Sequence, residues 1–276
     1  MSETTSCDDA GEVVGLIPAA GLATRLQPLP CSKELLPIEC VRDERSGLAR
    51  PKVASEYLLD KFRAAGIAKA FWVIRSGKWD IPNYFRDGAS MGMSMAYVVI
   101  SDSLGPPDTI DRAYPLVSRY RIAFGFPDIL FGPSDVYARL IQRQERTGAA
   151  VVLGLHRIAE VRTWDMVETD EDGLVRRIEM KPASTMLSYG WGCAVWTGVF
   201  TEFLHRFLRS PETTRDFSRL TSKANDPGGD VAMGVVLQAA LTAGIPVQSV
   251  HLPGESPLDI GTPENLAKAM REGGRG

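Results

Sequence analysis

The chain is poor in the residues that staple small folds together, with four cysteines and three histidines among 276 residues. Cys7, Cys31, Cys40 and Cys193 are scattered, with no C-x-x-C pair and no matching histidine spacing, so neither a disulfide framework nor a zinc site is expected. A basic surplus is also missing. The net charge of −3 offers no electrostatic footprint for nucleic acid. No apolar run approaches the length of a membrane span, and the polar, acidic opening from Met1 to Gly11 has the character of neither a signal peptide nor a transit peptide. The expectation is a soluble, cytoplasmic protein without nucleic-acid or membrane partners, with homo-oligomerisation left open. Two familiar phosphate loops are absent as well. There is no G-x-G-x-x-G, and no Gly-Lys-Ser/Thr follows the first glycine-containing loop.

What is present is an ordinary globular composition, 44% hydrophobic and 24% charged, on a chain long enough to bury a substantial core. Beyond a flexible tail over 1–11, strand and helix patterns alternate. Val13 to Ile17, Ala68 to Ile74, Ser94 to Ile100, Arg121 to Phe126 and Ala149 to Leu155 read as strands, most of them buried apolar runs. Lys52 to Ala65, Asp111 to Ser118 and Ser134 to Thr147 read as helices, the first stopped by Gly66 and the last capped by Ser134. This βαβ alternation predicts an α/β protein: a three-layer sandwich around a mostly parallel, Rossmann-like mixed sheet. The middle changes character. Trp164 to Glu168, Leu174 to Met180 and Trp191 to Trp196, with a turn at Asp170 to Gly173, predict a smaller β-rich substrate lobe. The Asp170-Glu-Asp172 triplet is read as that hairpin turn and not as a metal motif, because Gly173 follows at once. Val199 to Leu208 is helical, and Arg209 to Gly229 reads as a polar surface excursion. Asp230 is placed as the N-cap of a helix over Val231 to Thr242, Val247 to Leu252 as a strand, and Pro263 to Arg271 as a closing helix. The whole is expected to be a single domain over 12–272, with lobes at 12–155 and 156–200.

The densest signal lies at the start. Val13 to Ile17 opens into a small-residue loop around Gly21, followed by Thr24-Arg25, Pro28-Leu29, Lys33 and Leu35-Leu36-Pro37. A strand running into such a loop exposes backbone N–H groups to phosphate oxygens, and Arg25 and Lys33 supply countercharge. One glycine and one arginine alone would describe only a turn with surface cations. The ordered set resembles the signature G-x-G-T-R-x-x-P-L-(x)n-K-x-L-L-P of the sugar-1-phosphate nucleotidylyltransferases, the family that includes glucose-1-phosphate thymidylyltransferase and other NDP-sugar pyrophosphorylases. Ala23 stands where that family has its second glycine, and alanine disfavours positive φ.

The resemblance implies a metal-dependent transfer of a nucleotide from an NTP to a sugar 1-phosphate, giving an NDP-sugar and pyrophosphate with Mg²⁺ as cofactor. It assigns Arg25 and Lys33 as catalytic cations, and Ala20, Gly21, Thr24, Arg25 and Thr109 to the nucleotide. Asp128, after the run Phe124-Gly-Phe-Pro, and Asp259, in Pro257-Leu-Asp-Ile-Gly-Thr, match its two metal-ligating aspartates. Taken alone, each is equally a turn residue. Lys181 in Glu179-Met-Lys-Pro matches the lysine that holds the acceptor's phosphate, with Asp165 and Trp191 beside it on the acceptor side. Several positions depart from the pattern. Met180 replaces a glutamate that takes sugar hydroxyls, Asp165 replaces a glycine, and Thr109 stands where glycine is usual. Ile100 stands where a base-reading glutamine is expected, so the base is not legible. The alternatives are transfer to a non-sugar acceptor such as phosphocholine, a phosphonate or a cyclitol phosphate, or a non-catalytic nucleotide-sugar-binding regulator.

Overall fold

A computed structural model describes residues 11–43, 47–210, 213 and 232–273. Its centre is a nine-stranded mixed sheet. β1 (Val13–Ala19), β4 (Lys69–Arg75), β5 (Ser94–Ile100) and β6 (Arg121–Gly125) run parallel, with β1 between β4 and β6 and β5 at the edge. On the other side of β6 lies β11 (Tyr189–Trp196), which runs antiparallel to it. Beyond β11 come β8 (Val151–Arg157) and then β12 (Val247–His251), which pair parallel to each other. The α/β class with a mostly parallel sheet is therefore observed. A hairpin of β9 (Met166–Thr169) and β10 (Val175–Glu179) joins the same sheet through Gly190 of β11, which pairs with Met166. The middle segment thus continues the main sheet at the end of β11.

The central strands are legible because both faces are covered: Val14, Leu16, Ile17, Trp72, Val73, Ile74, Ile122 and Phe124 are all buried. Two apolar clusters, one on each face, form the layers. α1 (Ala54–Ala64) packs on one face, where its Phe62 sits over Gly15 of β1. Gly15 pairs with Ala70 on one side and Ala123 on the other, so a row of small residues across three strands makes room for the ring. α6 (Gly198–Arg209) and α7 (Met233–Thr242) cover the opposite face with Phe200, Leu204, Val236 and Leu237.

Some boundaries differ from the sequence reading. The expected helix from Lys52 begins only at Ala54, because Pro51 and Lys52 belong to β3 (Ala49–Val53), paired with β2 (Pro37–Arg42). The expected helix Asp111 to Ser118 is two short ones, α3 (Pro106–Asp111) and α4 (Tyr114–Val117), each with proline in its first turn, where its missing N–H costs nothing. α5 (Val136–Thr147) has Asp135, not Ser134, at its N-cap. The Asp135 side chain caps nothing, since Arg139 takes its carboxylate at 2.9 Å. The proposed tail over 1–10, nearly all of the polar excursion and the Asp230 cap lie outside the described residues, and α7 starts at Met233. Closing helix α8 (Pro263–Glu272) is capped by Thr262, which accepts from the Asn265 N–H.

Two packing details carry predictions. A Cβ at Gly15 would stand 2.6 Å from Phe62 Cε2, inside contact distance. Gly15→Ala should destabilise the protein by about 1–3 kcal/mol through overpacking, read from the urea midpoint. Lys61 of α1 is 4% exposed, and its ammonium has only the Tyr57 carbonyl at 3.5 Å and the face of Phe131 at 5.2 Å. Burial, then the nearby charge of Lys52, lowers its pKa from 10.5 to about 8. Below pH 8 the folded protein bears the full cost of the buried charge, and that cost fades as pH rises towards 10.5. Lys61→Met should therefore be more stable than the parent at pH 7, by on the order of 2–3 kcal/mol, with the gap closing by pH 10.5. Paired denaturation curves across that range check both the sign and the closing of the gap.

Candidate active site

The strands β1, β4 and β6 end on the same side of the sheet, the usual place for ligands in an open parallel sheet. Ala20 and Gly21 continue directly from β1. Arg75, the last residue of β4, donates from Nε to the Ala20 carbonyl at 3.0 Å and from Nη1 to the Ser101 carbonyl at 3.0 Å, fixing the start of the loop against the end of β5. Gly21 is exposed, and a Cβ there would lie 3.8 Å from Lys33 Nζ, so the loop backbone passes over that ammonium. Thr24 and Arg25 sit exposed in a short 3-10 turn, Thr24–Leu26. Ala23 enters that turn at φ 52°, ψ 38°, in the left-handed region that alanine disfavours.

Lys33 Nζ is 2.5 Å from Asp128 Oδ2, just past the end of β6. Asp259 arrives from the far end of the chain through a two-residue ladder. β13 (Leu258–Asp259) pairs antiparallel with β7 (Ile129–Leu130), Asp259 opposite Ile129, and the Ile260 N–H donates to the Asp128 carbonyl at 3.0 Å. The two aspartates are therefore neighbours. Asp259 Oδ1 accepts from the Gly261 N–H at 2.8 Å. A Cβ at Gly261 would fall 2.8 Å from Asp259 Oδ1 and 2.9 Å from Arg25 Nη2, which places Arg25 beside Asp259 and shows why residue 261 has no side chain.

The electrostatics follow from this crowding. Burial disfavours the Lys33 ammonium, but Asp128 and Glu34 outweigh it and hold its pKa above the ordinary lysine value. Burial also works against the Asp128 carboxylate, yet Lys33 prevails and keeps Asp128 below the usual range. Asp259 is pushed above that range, by burial first and by the charge of Asp128 second, with Lys33, the Gly261 N–H and Arg25 offsetting part of it. Two carboxylates and two cations meet here, Lys33 on Asp128 and Arg25 beside Asp259, with the two like charges adjacent. Among the described residues no group of three or more acidic, histidine or cysteine side chains forms a ready-made metal cage.

The acceptor-side residues also meet. The Asp165 carboxylate lies against the first turn of α7: a Cβ at Gly234 would stand within contact distance of Oδ2 and 3.1 Å from Met180 Cγ. Lys181, the Trp191 indole and the Gly234 N–H all bear on that carboxylate, yet burial dominates and raises it above the usual range. Asp165 Oδ1 and Trp191 Nε1 are both buried and fall short of hydrogen-bond geometry, so the indole bears on the carboxylate without a full hydrogen bond. Lys181 holds φ 37°. Trp191 in turn lies 6.2 Å, ring to ring, from Phe126, two residues before Asp128, which links the acceptor cluster to the aspartate pair. Thr109 is placed differently from the other nucleotide residues. It is 4% exposed inside α3, and its hydroxyl is taken up by Ser103 at 2.6 Å and the Gly105 carbonyl at 3.1 Å, so it shapes the β5–α3 loop. Sequence reasoning missed Arg75 and Gly261 as site residues. Arg75 carries no local signal, whereas Gly261 lay in the Asp-Ile-Gly-Thr segment already singled out.

No family model and no curated protein sequence matches the chain. Solved structures do. A Bacillus anthracis protein described as a glucose-1-phosphate thymidylyltransferase, in complex with sucrose, superposes with a TM-score of 0.72 at 17% identity, over 94% of each chain. A UDP-glucose pyrophosphorylase complexed with UDP-glucose gives 0.73 at 18%, over 95% of this chain and 97% of the other. A UTP-bound UGPase from Acinetobacter baumannii gives 0.71 at 18%, over 95% and 92%. The chain has the nucleotidyltransferase fold. Its structural neighbours are sugar-1-phosphate nucleotidylyltransferases, so the resemblance drawn from the loop signature holds as a likeness of fold over nearly the whole chain.

Ala23 supplies the prediction of this site. A left-handed residue other than glycine costs roughly 1–2 kcal/mol, partly offset by the lower unfolded-state entropy of alanine. Ala23→Gly should therefore be neutral or stabilising by up to about 1 kcal/mol, against the loss usual for this exchange. Calorimetry that shows a clear drop in Tm would contradict the left-handed turn.

Proposed function

We propose that the protein is a metal-dependent nucleotidylyltransferase that joins an NTP and a sugar 1-phosphate, or a sugar-like phosphate, to give an NDP-sugar and pyrophosphate. The observation that carries this reading is convergence. Arg25 and Lys33 from the first loop, Asp128 from the end of β6 and Asp259 from the C-terminal ladder meet, with Lys33 beneath Gly21 and Arg25 beside Asp259. An acceptor phosphate is already anionic, so no histidine base is required. Its oxygen would attack the α-phosphorus in line, with pyrophosphate leaving on the opposite side, and the protein's part is positioning and charge neutralisation. Arg25 is assigned to the β- and γ-phosphates, Lys33 to the α-phosphate or the incoming one, and Lys181 to the acceptor's phosphate.

The donor set suits a hard divalent cation. Two neighbouring carboxylates, one of them pushed up by burial and then by the other's charge, fit Mg²⁺, which takes one or two carboxylates and completes its shell with water and phosphate oxygens. When bound, it would neutralise charge between the carboxylates and the phosphates. The presence of all four charged groups favours an enzyme over a binding-only regulator.

A second reading, transfer to a non-sugar phosphate, is favoured by the acceptor cluster. Met180 is half-exposed there, and its thioether is a weak partner for hydroxyls. On that ground glucose 1-phosphate should be a poor acceptor.

The test is pyrophosphate release from purified protein with each NTP and a panel of sugar and non-sugar phosphates. Activity should vanish with EDTA and return with Mg²⁺. Arg25→Ala should lower turnover about a hundredfold, some 3 kcal/mol of transition-state stabilisation, without loss of fold. Asp128→Asn and Asp259→Asn should each lose metal affinity and rate. Near-normal turnover in Arg25→Ala would remove that residue from the scheme.

A further inference from the structure

Lys33 is held from one side by a loop that no part of the functional reading uses. Its preceding neighbour Ser32 is tied twice to Asp80: the Ser32 N–H donates to Oδ2 at 2.6 Å and the hydroxyl to Oδ1 at 2.7 Å. Its following neighbour Glu34 is fully buried, and both of its oxygens accept from Lys78 Nζ, at 2.8 and 2.9 Å. Lys78 and Asp80 are two residues apart, in the connection from β4 into α2 (Asp80–Phe85). That connection is rigidly mounted. Ile81 and Phe85 are in the core, and Phe85 stacks on Trp72 of β4 at 5.4 Å. The same connection begins at Arg75, whose guanidinium holds the Ala20 carbonyl.

We infer that Lys78 and Asp80 are positioning residues that clamp the two neighbours of Lys33 and so set where its ammonium stands relative to the reacting phosphates. The inference rests on the nucleotidylyltransferase reading for its catalytic consequence, but not for its geometry. A lysine side chain is long and has four rotatable bonds, so fixing the backbone on both sides of it is the economical way to orient the charge. Glu34 contributes further. Both of its oxygens are hydrogen-bonded to Lys78, while Lys33 donates to Asp128. Without Lys78 the buried Glu34 carboxylate would compete for the Lys33 ammonium and draw it from Asp128.

The experiment compares Lys78→Met, Lys78→Arg and Asp80→Asn with the parent, each also placed on a Lys33→Ala background. Three readouts are taken: kcat and KM for the NTP, amide hydrogen exchange over residues 32–36, and Tm. Lys78→Met and Asp80→Asn should each lower kcat ten- to a hundredfold with KM changed less than about threefold, and speed exchange over 32–36. Lys78→Arg should recover most of the rate. In the Lys33→Ala background the same changes should cost under twofold, because a residue acting through Lys33 has nothing left to act on. An equal loss in both backgrounds, or a loss of rate with unchanged exchange over 32–36, would overturn the clamp. Should Lys78→Met fail to fold, Asp80→Asn carries the cycle alone. Should the parent show no nucleotidyl transfer, the functional reading fails, while unaltered exchange in the variants would separately refute the clamp.

Discussion

A two-residue β-ladder makes this site. Asp128 and Asp259 are separated by nearly half the chain, and only the pairing of Leu258–Asp259 with Ile129–Leu130 brings them together. Around that ladder a third apolar cluster of Ile38, Tyr57, Leu130, Leu258, Ile260 and Ala269 packs α8 and the β2–β3 hairpin against the rim. The C-terminal segment is therefore anchored by burial, and its carboxylate is delivered as a consequence. Two like charges set side by side are unfavourable unless cations flank them. Lys33 and Arg25 take those flanks, one beside each carboxylate.

The charges form an ordered sequence: Lys78, Glu34, Lys33, Asp128, Asp259 and Arg25, alternating in sign except at the aspartate pair. Burying so many charges is costly unless each finds a partner, and removing one leaves its neighbour stranded. Such a network adds little net stability over an apolar core. Its use is geometric, because each member has one low-energy arrangement. The single break in the alternation is where the proposed function would place a divalent cation and an anionic substrate.

How much of this was legible follows from the range of each interaction. The central strands could be read because buried apolar runs declare themselves locally. The first loop could be read because Gly21, Arg25 and Lys33 fall within a few residues of one another. Asp128 and Asp259 were legible only through resemblance, since nothing near either residue indicates the other. Helix starts failed where pairing overrode periodicity, as at Pro51 and Lys52, which the β2–β3 ladder takes from α1. Thr109 lies inside α3 with its hydroxyl partnered within its own loop, an arrangement that composition cannot reveal. Lys78 and Asp80 carry no motif at all, and their partners lie 44 and 48 residues away.

The acceptor side follows the same logic with a different balance. Asp165 is buried, raised by that burial, and shared among Lys181, Trp191 and the first turn of α7. The Trp191 indole bears on one of its oxygens without reaching full hydrogen-bond geometry. Buried polar atoms without partners are rare and costly, about 1–3 kcal/mol each, and a fold keeps them where something else repays the loss. Met180, exposed beside the same first turn of α7, has a flexible side chain that can give way. The cluster around Asp165 is thus weakly hydrogen-bonded, while the cluster around Asp128 and Asp259 is highly charged. Under the proposed function, that contrast would have the triphosphate gripped by charge and the acceptor chosen by fit.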